Sequence, residues 1–146
     1  MGLSHRACMA LEAMMVVACA TTLEPISAPE LAERMGISKR TLEPILQALT
    51  RCGLLSSSKG PCGGYGLAVD RSRITALQIV EAVGGLRDEE DGDGSQIERR
   101  ILRPLADKVR AAEAAVLATV PLSDLKAEAD RLGVAQRNPS PIDYVI

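Results

Sequence analysis

The chain has no phenylalanine and no tryptophan, and Tyr65 and Tyr144 are its only aromatic residues. Its interior must therefore be aliphatic, built from Ala, Leu, Val and Ile, a composition that suits a mostly helical protein. It has no run of eighteen apolar residues, so no membrane-spanning helix is expected. The nearest candidate, Leu3 to Ala20, is interrupted by His5, Arg6 and Glu12. It also lacks the positive start and cleavage site of a secretory signal, so a cytoplasmic location is expected. The chain has one histidine, His5, and a lone histidine cannot make a metal site.

Catalytic sets are missing as well. There is no Ser/His/Asp order, no paired carboxylates at supporting spacing and no Cys/His cluster, so neither enzyme, metal nor cofactor is expected. The four cysteines, Cys8, Cys19, Cys52 and Cys62, show no C-x-x-C spacing. Cys8 and Cys19 share a helix face but lie about 16 Å apart along it, too far to bond. Cys8, Cys19 and Cys52 are expected to be small core residues. The acidic run from Asp88 to Asp93 lacks the register of a calcium loop, since the twelfth position from Asp88 is Arg99. It reads as a solvated loop.

What is present is 146 residues, 47 % of them apolar, enough for one domain with a helical extension. The net charge of −2 hides a gradient. Residues 1–66 carry six Lys/Arg against five acids, residues 67–94 three against seven, and residues 95–146 eight against seven. The acidity thus lies outside the first half of the chain, which leaves room there for local positive patches.

Leu3 to Ala20 reads as a helix buried on more than one side. Ser27-Ala28-Pro29-Glu30 has the form of a capping box, with Ser27 and Glu30 satisfying each other's backbone amides, and a helix follows from Glu30 to Met35. Gly36 stops it, Ser38 caps the next, and Leu42, Ile45, Leu46 and Leu49 recur at helical spacing up to Cys52-Gly53. Pro44 predicts a loose first turn over Lys39 to Leu42 and a regular helix from Glu43. The pair has the length and the glycine of a helix-turn-helix.

Next come Leu54-Leu55-Ser56 and Tyr65 to Val69, two short strands around a tip holding four glycines and Pro61 between Gly60 and Gly66. Such a tip predicts positive φ angles at several glycines. Thr75 caps a helix ending at Gly84-Gly85. Gln96 to Thr119 forms a long helix striped by Ile97, Ile101, Leu102, Leu105, Val109 and Leu117, with Pro104 bending it, and Ser123 caps a last helix to Leu132. The fold class is mainly α with a small β-wing: a winged helix-turn-helix over residues 1–86, a flexible acidic loop over 87–95, a dimerisation helix and short C-terminal helix over 96–132, and a tail over 133–146.

In that architecture the start of the second helix meets base edges and the hairpin meets the backbone or minor groove. Lys39, Arg40 and Thr41 are the expected base-edge contacts, with Ser38 ahead of them. Arg51 and Lys59 are expected on phosphates, and Gly60, Gly63, Gly64 and Tyr65 belong to the approaching wing. Cys62, exposed beside Lys59, is the cysteine expected to react. The long stripe has too little of its own chain to cover it, so pairing with a second copy is expected.

These motifs resemble the Rrf-two family of bacterial transcription regulators. The resemblance is carried by Leu3-Ser4-His5-Arg6, by Ala28 to Ser38, by Thr41-Leu42-Glu43-Pro44-Ile45-Leu46-Gln47-Ala48-Leu49, by Gly53-Leu54-Leu55, by Gly60-Pro61-Cys62-Gly63-Gly64-Tyr65 and by Ile74 to Val83. It covers residues 3–86 well and the long helix loosely. It implies a homodimeric winged-helix repressor or activator of double-stranded DNA, of which a repressor is the expectation here; an unidentified small-molecule or redox effector is a further expected partner. Cluster-binding members of the family carry three cysteines after the helix that ends here at Gly85. This chain has none there, so the resemblance is to a branch without an iron–sulfur cluster, with Cys8 the one conceivable remnant of a ligand. Two other readings stay open: a ligand- or protein-binding module that keeps the fold without binding DNA, and a thiol switch through Cys62.

Overall fold

A computed structural model describes residues 2–20, 24–86 and 94–134. Helix α1, His5–Cys19, starts where the Ser4 hydroxyl accepts from the Ala7 amide at 3.1 Å. Ala7, Ala10, Ala13, Met14, Val16 and Val17 are all buried along it, on more than one side as its sequence requires. Helix α2, Ala28–Met35, is capped by the Ser27 hydroxyl, which accepts from the Glu30 amide at 3.3 Å. The reciprocal half of the expected capping box is absent. The Glu30 carboxylate instead takes Arg34 one turn on, at 2.7 Å. A charge-assisted bond of this kind is the stronger partner for a carboxylate than a neutral amide. Gly36, at φ 67°, ends the helix in the left-handed conformation.

Helix α3 runs unbroken from Lys39 to Arg51 with Pro44 inside it, so the expected loose first turn does not occur. Two things hold it. Ser38 caps the end, its hydroxyl accepting from the Thr41 amide at 3.1 Å. Below, Leu42, Ile45, Leu46, Ala48 and Leu49 are buried. Burial of each leucine or isoleucine contributes about 1.5–3 kcal/mol, enough to offset one lost helical hydrogen bond.

Strands β1, Leu55–Ser58, and β2, Gly64–Leu67, pair antiparallel from Leu55 opposite Leu67 to Ser58 opposite Gly64. The tip is therefore only Lys59 to Gly63, and Gly64 and Gly66 belong to a strand. Within the hairpin only Gly60 has positive φ, at 106°, fewer than expected. The next two glycines serve space instead: a Cβ on Gly63 would collide with the Ser58 carbonyl, and one on Gly64 with the Ile26 carbonyl. Ile26 and Tyr65 exchange both backbone bonds, at 2.9 and 2.7 Å, which ties the wing base to the segment leading into α2.

After a 3-10 turn at Arg71–Arg73, helix α4, Ala76–Ala82, begins with a full capping box between Thr75 and Gln78. The disturbance expected at Pro104 takes the form of a π-helical turn, Glu98–Leu102, ahead of helix α5, Arg103–Ala118. Pro104 has no amide for the Arg100 carbonyl, so the preceding hydrogen-bond pattern widens. Helix α6, Leu122–Leu132, lacks the expected Ser123 cap. The Leu122 amide donates to the Ile74 carbonyl at 2.7 Å and the Ala76 amide to the Val120 carbonyl at 2.8 Å, so a backbone bridge fixes the start of the helix.

Met14, Leu31, Leu42, Leu46, Leu49, Ile74, Ile79 and Leu122 fill one core shared by α1 to α4, β1 and the start of α6. Among the described residues every buried side chain is apolar or a cysteine. No helix among them is long and apolar enough to cross a membrane. Of the predicted acidic loop over 87–95 and tail over 133–146, residues 87–93 and 135–146 lie outside the described residues.

Candidate nucleic-acid interface

The α2–turn–α3 unit and the wing are held against one core, so the outer surface of α3 and the hairpin tip belong to the same rigid head. At the start of α3 the three predicted base-contact residues divide by what already engages them. Thr41 lies 2.7 Å from the Ser38 hydroxyl, a bond internal to the cap. Lys39 lies 3.6 Å from Glu43. Arg40 is exposed and makes no ion pair with any described residue, leaving its five donors available.

Burial of Leu42, Ile45, Leu46 and Leu49 fixes which face of α3 points outward. At 3.6 residues per turn the strip opposite them, about 60° wide, carries positions 40, 44, 47 and 51. Arg40, Pro44, Gln47 and Arg51 are all exposed there. Gln47 was absent from the predicted set. A helical wheel anchored on the four buried residues would have found it. Lys39 and Thr41 flank this strip.

Lys59 and Cys62 are exposed in the wing tip, and Gly60 makes its tight turn. Gly63, Gly64 and Tyr65 are half-buried. Tyr65 packs against the core and pairs with Ile26, placing it at the wing base and not at its tip. Cys52, expected inside, is the exposed C-cap residue of α3. The helix ends there and the chain turns through Gly53, at φ 78°, which leaves Cys52 open to water. Cys19 is buried as expected, and burial pushes its thiol pKa up against the smaller opposing effect of Lys126. Cys8 is half-buried and His5 is exposed at the first turn of α1.

The arrangement of a capped helix pair, a recognition-type outer face and a pinned hairpin defines a winged helix-turn-helix protein. The chain belongs to the Rrf2 family, whose profile, described as "Rrf2: Iron-dependent Transcriptional regulator", it matches over residues 3–128. It is similar to the HTH-type transcriptional regulator IscR of Xenorhabdus nematophila, 29 % identical over 148 residues, covering 96 % of this chain and 88 % of that one. It is 37 % identical to IscR of Escherichia coli K12 over 83 residues, a match that takes in 57 % of this chain and 51 % of that protein. Among solved structures it resembles T. potens IscR, with a TM-score of 0.71 and 27 % identity over 92 % of this chain and 93 % of that one. It also resembles CymR, the global cysteine regulator of B. subtilis, with a TM-score of 0.68 and 27 % identity over 86 % of this chain and 96 % of that one. The family is one of transcriptional regulators and not of enzymes.

The described residues offer no ligand set for the iron that the family description names. No cysteine follows Cys62 in the chain, and the four that exist sit in α1, at the end of α3 and at the wing tip. Among the described residues no group of three His, Cys, Asp or Glu side chains lies close enough to hold a metal ion.

Proposed function

We propose that this protein binds operator DNA as a homodimer and represses transcription without an iron–sulfur cluster. The reading rests on one observation above all: the outer strip of α3 presents an unpaired Arg40 and an exposed Arg51 on the same rigid head as Lys59 of the wing. In this reading Arg40 meets base edges, with Lys39 and Thr41 at the flanks of the contact. Arg51 and Lys59 neutralise phosphates, and Gly60 and Gly63 let the wing backbone approach closely. Ser38 acts through the cap that starts the helix, and Gly64 and Tyr65 act by fixing the wing. The head, residues 1–86, is the DNA-binding unit, joined through 87–95 to the dimerisation unit.

The dimer reading is supported by α5. Ile97, Ile101, Leu102, Leu105, Val109 and Val116 are each more than half exposed along the π-turn and α5. Beside them runs an apolar cleft of about 540 Å³ lined by Leu3, Val109, Ala112, Val116 and Leu117. A second copy crossing there would cover both, and would set two heads on successive turns of DNA, about 34 Å apart.

The test is selection of genomic fragments by the reduced wild type and by Arg40→Ala, with sedimentation alongside. Enrichment of a palindromic site by the wild type alone, from a sedimenting dimer, is the expected result. Affinity should fall steeply between 50 and 200 mM salt through counterion release. Equal retention of all fragments would overturn the sequence-specific reading, and retention of none would leave a binding module that has lost DNA.

A further inference from the structure

Pro44 is exposed in the middle of the outer strip of α3, one turn beyond Arg40 and one turn before Gln47. A proline there does two things. It has no amide, so the Arg40 carbonyl is left without the donor that every other carbonyl in a helix interior receives. Its ring also crowds that carbonyl, which favours tilting it outward, toward the exposed side. By helix geometry the outer strip therefore carries a backbone acceptor with no intrahelical amide partner, open to solvent, where the recognition helix would meet base edges.

Gln47 completes the pattern. It is exposed, lies within about 20° of Arg40 around the helix and stands about 10 Å further along it, some three base steps. It makes no bond with any described side chain. Positions 40, 43, 44 and 47 have the i, i+3, i+4, i+7 spacing by which a single helix reads the major groove. Glu43, at the edge of the strip, already faces Lys39 at 3.6 Å. That leaves Arg40, its carbonyl and Gln47, with Arg51 one turn further on, as the unengaged polar groups of the strip.

Building on the DNA-binding reading above, we propose that Gln47 and the Arg40 carbonyl released by Pro44 set operator specificity. Gln47 offers a donor and an acceptor together, the pattern that matches the N7 and N6 edge of adenine. The carbonyl offers acceptance alone, so it selects a base with an amino group in the major groove, adenine N6 or cytosine N4, and disfavours guanine and thymine. Arg40 itself prefers the O6 and N7 of guanine. The recognition helix thus specifies a guanine, then an amino-bearing base, then an adenine in each half-site. The carbonyl is a specificity element that no side-chain reading of the sequence displays.

The test uses the full-length protein and a library of randomised duplexes, comparing wild type, Gln47→Ala and Pro44→Ala. Both positions are exposed, and Pro44→Ala restores a normal helical bond, so both variants should fold, which thermal melting checks. Gln47→Ala should lose roughly ten- to a hundredfold of the discrimination for adenine at one position per half-site. Pro44→Ala should relax the preference for adenine or cytosine at a neighbouring position by about tenfold. In both variants the salt dependence of binding should keep its slope, because no cation is removed. A wild-type motif reproduced unchanged by both variants overturns this inference alone. A wild type that enriches no motif at all overturns the DNA-binding reading and this inference with it.

Discussion

Helices α3 and α5 carry comparable apolar stripes and meet opposite fates. α3 lays Leu42, Ile45, Leu46 and Leu49 against α1, α2 and the wing and buries all four. The sixteen residues of α5 bury none of their side chains in the folded chain, and Leu105 and Val109 stand more than half exposed. The two stripes look alike in sequence because periodicity reports only that a helix has an apolar face. What covers that face is a property of the whole fold. In α3 it is the chain itself, while in α5 the proposal assigns it to a second copy.

The largest expected effect comes from truncating each stripe in turn. Leu46→Ala should cost about 2–5 kcal/mol in denaturant unfolding, because it opens a cavity in a closed core. Leu105→Ala should change the stability of the isolated chain by less than about 0.5 kcal/mol. It should instead raise the monomer fraction in sedimentation at low concentration. A comparable loss of chain stability from both would erase the distinction between the helices.

A smaller contrast lies within β2. Gly64→Ala drives a methyl group into the Ile26 carbonyl and should cost about 1–3 kcal/mol, with loosening of the wing visible as faster amide exchange at Tyr65. At Gly66 the nearest atom to an added Cβ is the Ser56 hydroxyl at 3.9 Å, so Gly66→Ala should be close to neutral. Equal melting temperatures for the two variants would show that the wing is not pinned at Ile26.

The smallest effect is electrostatic and separates the head from its rim. The Ser72 hydroxyl and amide hold the exposed Asp70 carboxyl below its ordinary value of 3.8, outweighing the slight opposing effect of burial. A lowered pKa in the folded state stabilises the protein above the unfolded value and loses that contribution as pH falls through the folded one. Asp70→Asn should therefore lower stability slightly near neutrality, where that contribution is fully present, and flatten the acid side of the profile below about pH 4, where wild type and variant converge. Identical acid limbs in titrated melts would remove Asp70 from that account.

Much of the head was legible from residues in order. Ser27, Ser38 and Thr75 are caps because a hydroxyl three residues before an orphan amide is enough to start a helix. Gly36 and Gly84 end helices because both adopt positive φ. Where the local reading failed, a distant partner had intervened. Glu30 turned to Arg34, and the start of α6 was set by Ile74, nearly fifty residues earlier, in place of Ser123. Tyr65 and Gly64 looked like tip residues but are held at the wing base by Ile26. Cys52 looked like a small core residue, yet it caps a helix end that faces water.

The candidate interface divides in the same way. Arg40, Lys59 and the glycine hairpin could be singled out from their positions after a cap or within a turn. Gln47 was missed, although a helical wheel drawn on the apolar positions Leu42, Ile45, Leu46 and Leu49 places it on the outer side.

By itself, then, the sequence determined the helix starts and stops, the aliphatic interior, the hairpin and the family, because capping, glycine geometry and apolar periodicity act over a few residues. Only the tertiary structure decided which apolar stripe is closed and which stays open, and which glycines serve space and not conformation. Those outcomes depend on what lies opposite each surface once distant segments pack together, and no local pattern encodes that.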